Sequence, residues 1–203
     1  IRRDQMCLLK GAGVNLQYYD YQKYPENDKV HFLYLGRIMK EKGMDELFSA
    51  AKELQRKDVP FVLDLVGFFE DEYKEKIDQL VSDGIAVFHG FKEDPRPYYA
   101  GADCVVLPSY HEGMSNVLLE AAATGRPVIT SNIPGCKEAV DDGKSGFLCE
   151  VRDWNNLYLK MDKIAHMSHL EREAMGLCAR DKMMQEFDKN KVVKKTIQGI
   201  VRV

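Results

Sequence analysis

Two glutamates eight positions apart carry the clearest chemical signal in this sequence of 203 residues. Glu112 follows a short apolar run, and Glu120 lies within an apolar stretch whose pattern predicts a helix. Burying a carboxylate among leucines and alanines is costly unless something hydrogen-bonds to it. No lysine or arginine stands three or four positions from Glu120, where a helix would supply an ion-pair partner. We therefore expect its partner to come from elsewhere in the fold or from a ligand.

The start of the same predicted helix could bind an anion. Free backbone N–H groups and the positive end of the helix dipole favour phosphate at such a position. Ser115, Asn116 and Val117 would supply these groups, and Gly113 would let the backbone approach a ligand closely. The alternative is a plain N-cap, in which Ser115 or Asn116 caps its own helix. That alternative leaves the two glutamates unexplained.

A second motif adds positive charge. It is the loop Gly36-Arg37-Ile38-Met39-Lys40-Glu41-Lys42-Gly43, which follows an apolar run. Arg37 suits bidentate contact with phosphate, while Lys42 would act as a point charge. An ordinary solvated loop explains the same pattern equally well, because charge-rich loops are common.

The elements that must position these residues alternate along the chain. Continuous apolar runs predict strands at residues 30–35, 61–66, 85–89, 104–107, 127–130 and 146–149. Helical spacing predicts helices near residues 44–54, 73–81, 97–102, 115–124, 137–140, 154–166, 168–187 and 190–202. Ser168 and Glu171 fit a capping box. This alternation predicts a parallel, doubly wound α/β sheet, in which ligands bind beyond the carboxyl ends of the strands.

Composition argues against several classes of function. The net charge of −3 leaves no basic surplus for nucleic-acid binding. No apolar run approaches the length of a membrane span, and no signal peptide is visible. The five cysteines contain no C-x-x-C pair, which favours small hydrophobic residues in a reducing compartment over a disulfide framework. We therefore expect a cytoplasmic protein. We also expect no metal site, since His166 and His169 lack a nearby third ligand.

The chain also carries an ordered set of motifs. They are Gly36-Arg37…Lys42-Gly43, Leu65-Val66-Gly67, the stretch from Ala102 to Ser109, Glu112-x7-Glu120, Gly125-Arg126-Pro127-Val128-Ile129 and Gly143-x2-Gly146-Phe147-Leu148. Together, over about residues 30–165, they resemble the donor-binding domain of retaining group 1 (family 4) glycosyltransferases. The segment Gly11-Ala12-Gly13-Val14-Asn15 resembles the end of that family's N-terminal domain.

The resemblance implies the GT-B architecture, in which two Rossmann-like domains face each other across a cleft. Residues 1–28 would then be an interdomain linker after a missing N-terminal domain. Residues 29–187 would form the donor-nucleotide domain, and residues 188–203 a C-terminal helix. We accordingly expect this sequence to be a piece of a longer protein, for which peripheral association with a membrane remains open.

The resemblance also implies a role for each candidate residue. Arg37 and Lys42 would bind the donor diphosphate and stabilise charge on the departing nucleotide; with Glu112 they form the expected catalytic set. Glu112 would face the donor sugar together with the backbone of Gly113 and Met114. Glu120 would bind the ribose hydroxyls. The phosphates would also be held by the backbone of Ser115, Asn116 and Val117. The base would be bordered by the backbone around Gly67 and Phe91. Phe68-Phe69 departs from the family pattern, in which many members carry a glycine or an aspartate shortly after Gly67.

The implied reaction is transfer of a sugar from a nucleotide-sugar, with UDP the expected nucleotide, to a glycan or lipid-linked acceptor with retention. It would serve polysaccharide or glycoconjugate biosynthesis. No metal or other cofactor is expected, because fixed charges can stabilise the leaving group. The acceptor would bind through the missing domain, so we expect these residues alone to bind ligand with negligible transfer. A GT-B sugar-nucleotide epimerase or phosphorylase, and a non-catalytic nucleotide-binding module, remain alternatives.

Overall fold

The computed structural model describes residues 11–201, so Cys7 and the first ten residues of the predicted linker lie outside the described residues. Within this range, six strands form one parallel sheet in the order β3-β2-β1-β4-β5-β6. The strands are β1 Val30–Leu35, β2 Phe61–Val66, β3 Ala86–Gly90, β4 Cys104–Leu107, β5 Val128–Ser131 and β6 Gly146–Cys149. The α-helices are α1 Met44–Arg56, α2 Lys74–Ser82, α3 Arg96–Gly101, α4 Asn116–Ala123, α5 Trp154–His166, α6 His169–Lys182 and α7 Lys189–Val201.

The strand order places a topological switch point between β1 and β4. The chain leaves β1 to build β2 and β3 on one side, then returns to place β4 on the other, with Phe32 paired to Cys104. Loops that follow β1 and β4 therefore diverge at the carboxyl edge of the sheet and leave a crevice, which is where such folds bind ligands.

Helices cover both faces of the sheet. Right-handed crossovers put the helix after β1 and the helix after β4 on opposite faces. Accordingly, α1 packs against α5, whereas α4 packs against α6. The central strand β4 is buried along its whole length, which explains why its sequence is a continuous apolar run.

The predicted fold class is confirmed, and each of the six predicted strands forms within one residue of its predicted bounds. The capping box at the start of α6 is also present. The prediction of one helix over 168–187 is wrong, because α6 ends at Lys182 and a π-helical turn, Met183–Phe187, follows. This turn buries the Phe187 side chain and directs its carbonyl oxygen to the backbone N–H of Val14, 2.8 Å away.

The irregular segment 11–28 is fixed to the body of the sheet domain. The guanidinium of Arg126 is fully buried. It donates to the carbonyl oxygens of Gln22 and Lys23 at 3.1 and 3.0 Å, and to those of Tyr99 and Ala100 in α3 at 2.9 and 2.8 Å. One side chain thus joins the segment to α3 and satisfies backbone acceptors that burial would otherwise leave unpaired.

Candidate functional site

The loops after β1 and β4 are held against each other at the switch point. The backbone N–H of Tyr110 donates to the carbonyl oxygen of Glu41 at 2.8 Å. Gly43 has φ +73°, and a Cβ there would stand 2.2 Å from the carbonyl oxygen of Pro108. Only glycine fits so close an approach in that conformation. The β1 loop therefore delivers its side chains directly to the β4 loop.

Lys42 and Glu112 meet in this crevice. The Lys42 Nζ lies 2.7 Å from Glu112 Oε1, and the Ser109 hydroxyl donates to the same oxygen at 2.9 Å. The two charged side chains are only 15% and 14% exposed. The structure therefore brings together two of the three predicted catalytic residues, with the lysine already paired to a carboxylate.

Arg37, the third of these residues, lies at the rim. Its guanidinium is half exposed and pairs with Glu70 at 3.0 Å, while its carbonyl oxygen accepts a hydrogen bond from the Tyr34 hydroxyl. Because exposed ion pairs contribute little free energy, an anion in the crevice could readily displace Glu70.

A small apolar pocket of about 150 Å³ adjoins Arg37. Its lining includes Gly36 and Gly67, whose backbones touch so closely that a Cβ on Gly67 would stand 1.8 Å from the Gly36 carbonyl oxygen. The rings of Phe68 and Phe91 meet edge to face, with centroids 6.1 Å apart, and are 45% and 63% exposed. Phe91 and Gly67 thus line one pocket, and Phe68, which sequence reasoning did not assign, lines it as well.

The first turn of α4 begins without a capping side chain. Ser115 occupies the N-cap position, but its hydroxyl bonds to no helical N–H group, and α4 starts at Asn116. The plain N-cap alternative is therefore wrong for this helix. Val117 packs partly against the core, and Met114 lies against Gly11, where a Cβ would meet its side chain at 2.6 Å. Backbone N–H groups of this turn remain suited to an anion.

The loop before α4 is supported by the loop that follows β5. Gly135 has φ +86°, and a Cβ there would stand 2.0 Å from the Gly113 carbonyl oxygen and 2.5 Å from that of Glu112. The backbone N–H of Ser115 donates to the Gly135 carbonyl oxygen at 3.1 Å. This contact fixes the backbone that carries Glu112, Gly113 and Met114.

Glu120 finds its partners in two tyrosines rather than in a cation. The Tyr99 hydroxyl donates to Glu120 Oε2 at 2.9 Å, and the Tyr19 hydroxyl lies near enough to lower the pKa of the same carboxylate. Burial raises the pKa of Glu120, and the two tyrosine hydroxyls act in the opposite direction. Only the tyrosine-rich stretch near Tyr19 and the Tyr98-Tyr99 pair could have signalled these partners in the sequence.

Glu120 also lines a cavity of about 230 Å³. The segment 12–15 and Tyr19 form one side, Asn116 and Leu119 of α4 form another, and Lys189 of α7 completes the lining. A carboxylate, two amide side chains and a cation thus face a space next to the start of α4, which suits a polar ligand with hydroxyl groups and negative charge.

Two further observations limit the chemistry of residues 11–201. Across this range, no group of histidine, cysteine and acidic side chains is arranged to hold a metal ion. Within the same range, no helix has both the length and the apolar character that a membrane span needs. The thiols of Cys104, Cys136, Cys149 and Cys178 are free.

Comparison with known proteins gives a consistent result. A family model described as Glycosyl transferases group 1 matches residues 29–166. The capsular polysaccharide biosynthesis glycosyltransferase CapM of Staphylococcus aureus is 32% identical over 166 residues, which cover 79% of this chain and 43% of that protein. The N,N'-diacetylbacillosaminyl-diphospho-undecaprenol alpha-1,3-N-acetylgalactosaminyltransferase of Campylobacter jejuni is 24% identical over 216 residues, which cover 100% of this chain and 56% of that protein.

A solved structure shows the same fold. The crystal structure of Anabaena Alr3699/HepE in complex with UDP superposes with a TM-score of 0.80 at 19% identity, over 94% of this chain and 56% of that one. This chain spans about half the length of the curated relatives it matches.

Proposed function

The chain belongs to the group 1 glycosyl transferases, and we propose that it is the donor-binding half of a retaining enzyme that uses a UDP-sugar. The observation that carries this proposal is the arrangement at the switch point. The Lys42–Glu112 pair and the Glu120 carboxylate flank one helix start that no side chain caps. A nucleoside diphosphate needs a cation and free N–H groups to bind its phosphates, and an acceptor to bind its ribose hydroxyls.

The diphosphate would bind between Lys42 and the first turn of α4. Lys42 would leave Glu112 for the phosphates, and Arg37 would turn from Glu70 to the same charge. Positive groups fixed at this position stabilise the nucleotide diphosphate as the bond to the sugar breaks. The chain's own cations serve in this role, so we propose a reaction without a metal ion.

The nucleoside would extend from the phosphates along α4. Glu120 would accept hydrogen bonds from the vicinal hydroxyls of the ribose, since a carboxylate has about four acceptor positions and the Tyr99 hydroxyl occupies one. The base would enter the pocket of Gly67, Phe68 and Phe91. Glu112, released by Lys42, would face the donor sugar with the backbone of Gly113 and Met114.

The named relatives support the choice of donor and acceptor. The HepE structure contains UDP, which supports a uridine nucleotide here. CapM acts in capsular polysaccharide biosynthesis, and the Campylobacter enzyme is named for a diphospho-undecaprenol acceptor. We propose a glycan or lipid-linked acceptor that binds to a part of the protein not included in this chain.

Titration calorimetry of this chain with UDP tests the proposal. We expect binding that weakens about tenfold or more in Lys42→Ala and in Glu120→Ala, because each removes a charged hydrogen-bond partner. Lys40→Ala is the matched control, since Lys40 is an exposed lysine of the same loop, and it should bind like the parent chain. A folded chain that does not bind UDP, or a UDP affinity that is equal in the parent chain and all variants, would refute the proposal.

A further inference from the structure

We propose that Tyr19 and Tyr99 are positioning residues for the nucleotide site, because their hydroxyl groups hold the Glu120 carboxylate in the orientation that accepts ribose hydroxyls. This inference rests on the proposed function. It adds a role for the segment before the sheet domain, because Tyr19 lies in that segment and Tyr99 lies in α3.

The two tyrosines form a rigid support around one carboxylate. Tyr99 is fully buried and donates to Glu120 Oε2 at 2.9 Å. The ring of Tyr19 packs edge to face on that of Tyr99, with centroids 6.1 Å apart, a geometry that aromatic pairs prefer. Each ring therefore restricts the other, and the Tyr99 hydroxyl approaches Glu120 from a fixed direction.

Backbone contacts fix Tyr19 in turn. Its N–H donates to the Asn15 carbonyl oxygen at 2.9 Å, and its own carbonyl oxygen accepts from the Arg180 guanidinium at 2.8 Å. The same guanidinium donates to the carbonyl oxygen of Ala123 at the end of α4. Tyr19 is thereby tied to the helix that carries Glu120.

Neutral donors suit this task better than a cation would. A lysine beside Glu120 would neutralise the carboxylate and compete with a ligand hydroxyl, whereas a phenol offsets part of the burial cost and leaves acceptor positions open. Burial and the nearby carboxylate raise the pKa of Tyr19 and of Tyr99. Both phenols therefore remain protonated donors.

The test uses variants that remove one hydroxyl and keep the ring. In Tyr19→Phe and Tyr99→Phe we expect UDP affinity to fall by up to about tenfold, because a misoriented Glu120 would lose one charge-assisted hydrogen bond to the ribose. Tyr18→Phe, which alters a neighbouring exposed ring that does not bond to Glu120, should bind UDP normally. Thermal melting establishes that each variant is folded; Tyr19→Phe alone suffices if Tyr99→Phe fails to fold.

Two readouts separate positioning from a structural role. The affinity for 2',3'-dideoxyuridine diphosphate, which lacks the diol, should be the same in the parent chain and both variants. The loss of UDP affinity on acidification should begin at higher pH in the variants, because the lost hydroxyls lowered the pKa of Glu120. Lys189 is the other charged side chain that lines the same cavity.

The possible outcomes are distinct. Equal losses for UDP and the dideoxy compound, or an unchanged pH profile, would overturn the positioning role while leaving the proposed function intact. UDP binding that is absent, or unaffected by Glu120→Ala, would overturn the proposed function and this inference with it.

Discussion

The Lys42–Glu112 contact has a consequence for individual side chains at the crevice. The two groups are largely buried and 2.7 Å apart, so each offsets the desolvation of the other. If the phosphates of the nucleotide bind Lys42, Glu112 loses its ion pair and keeps only the hydrogen bond from the Ser109 hydroxyl. Glu112 is therefore both a stabilising partner in the ligand-free chain and a competitor for the nucleotide.

This competition predicts opposite effects of one substitution on stability and on binding. In Glu112→Gln the free energy of unfolding should fall by about 1–3 kcal/mol, because Lys42 loses its charged partner. UDP affinity should rise, because Lys42 no longer has to break an ion pair with a carboxylate in order to bind the phosphates. Urea unfolding and calorimetry measure the two effects. Ser109→Ala, which keeps the ion pair, should leave UDP affinity unchanged; weaker UDP binding by Glu112→Gln would contradict the prediction.

A second cluster of residues should make stability depend on pH. Asp64 accepts from His31 Nδ1 and from His89 Nε2, both at 2.7 Å. The hydrogen bond to Asp64 raises the pKa of His31 despite partial burial. Although burial acts in the opposite direction, the hydrogen bonds and charges of His31 and His89 lower the pKa of Asp64.

The signs of these shifts fix the expected profile. The His31 contribution is complete below its ordinary pKa, near 6.5, and is lost as pH rises through the raised value. The Asp64 contribution is present at neutral pH and is lost as pH falls through the lowered value. Urea midpoints measured from pH 4 to 9 should therefore fall more steeply above pH 6.5 in the parent chain than in His31→Gln. Parallel curves would contradict this assignment.

At the scale of elements, the crevice depends on how closely the β1 and β4 loops approach. Gly43 and Gly84 both have left-handed φ, +73° and +70°, but a Cβ at Gly43 would meet the Pro108 backbone, whereas a Cβ at Gly84 would meet no atom within 4 Å. Comparing alanine at the two positions separates the conformational cost from the cost of contact.

Gly84→Ala should cost about 1 kcal/mol for its backbone conformation alone. Gly43→Ala should cost about 2 kcal/mol more, because the new methyl group would overlap Pro108 and separate the loops. Gly43→Ala should also weaken UDP binding, since Lys42 is the next residue, whereas Gly84→Ala should not. Unfolding and calorimetry on both variants check this, and equal effects would show that loop contact is unimportant.

The same elements show what sequence patterns can and cannot predict. Continuous apolar runs located all six strands, because both faces of a parallel sheet are covered, and the helix start at Asn116 was one residue from its predicted position. Periodicity carries no information on contacts between distant residues. The bond from Tyr99 to Glu120, and the pairing of Lys42 with Glu112, follow from strand order and loop approach.

At the scale of the whole molecule, the segment before the sheet belongs physically to the site. Arg126 joins it to α3 and Arg180 joins it to α4, so its position is set by the helices that frame the Glu120 cavity. The Val14 backbone bonds to Phe187 and Lys189. The segments that precede and follow the sheet domain therefore meet beside the cavity.

This arrangement argues for ligand binding without transfer by these residues alone. The chain spans about half the length of its curated relatives, and every proposed contact here is to the donor. With a UDP-sugar we therefore expect saturable binding and negligible product by chromatography, whatever acceptor glycan is added.

A full-length protein should form product only with donor and acceptor together, whereas an epimerase would convert the donor alone. A phosphorylase would need phosphate, because phosphate is the group that receives the sugar. Robust transfer by the 203 residues would show that the donor half suffices for the reaction. It would contradict the proposal that the acceptor binds to a part of the protein outside this chain.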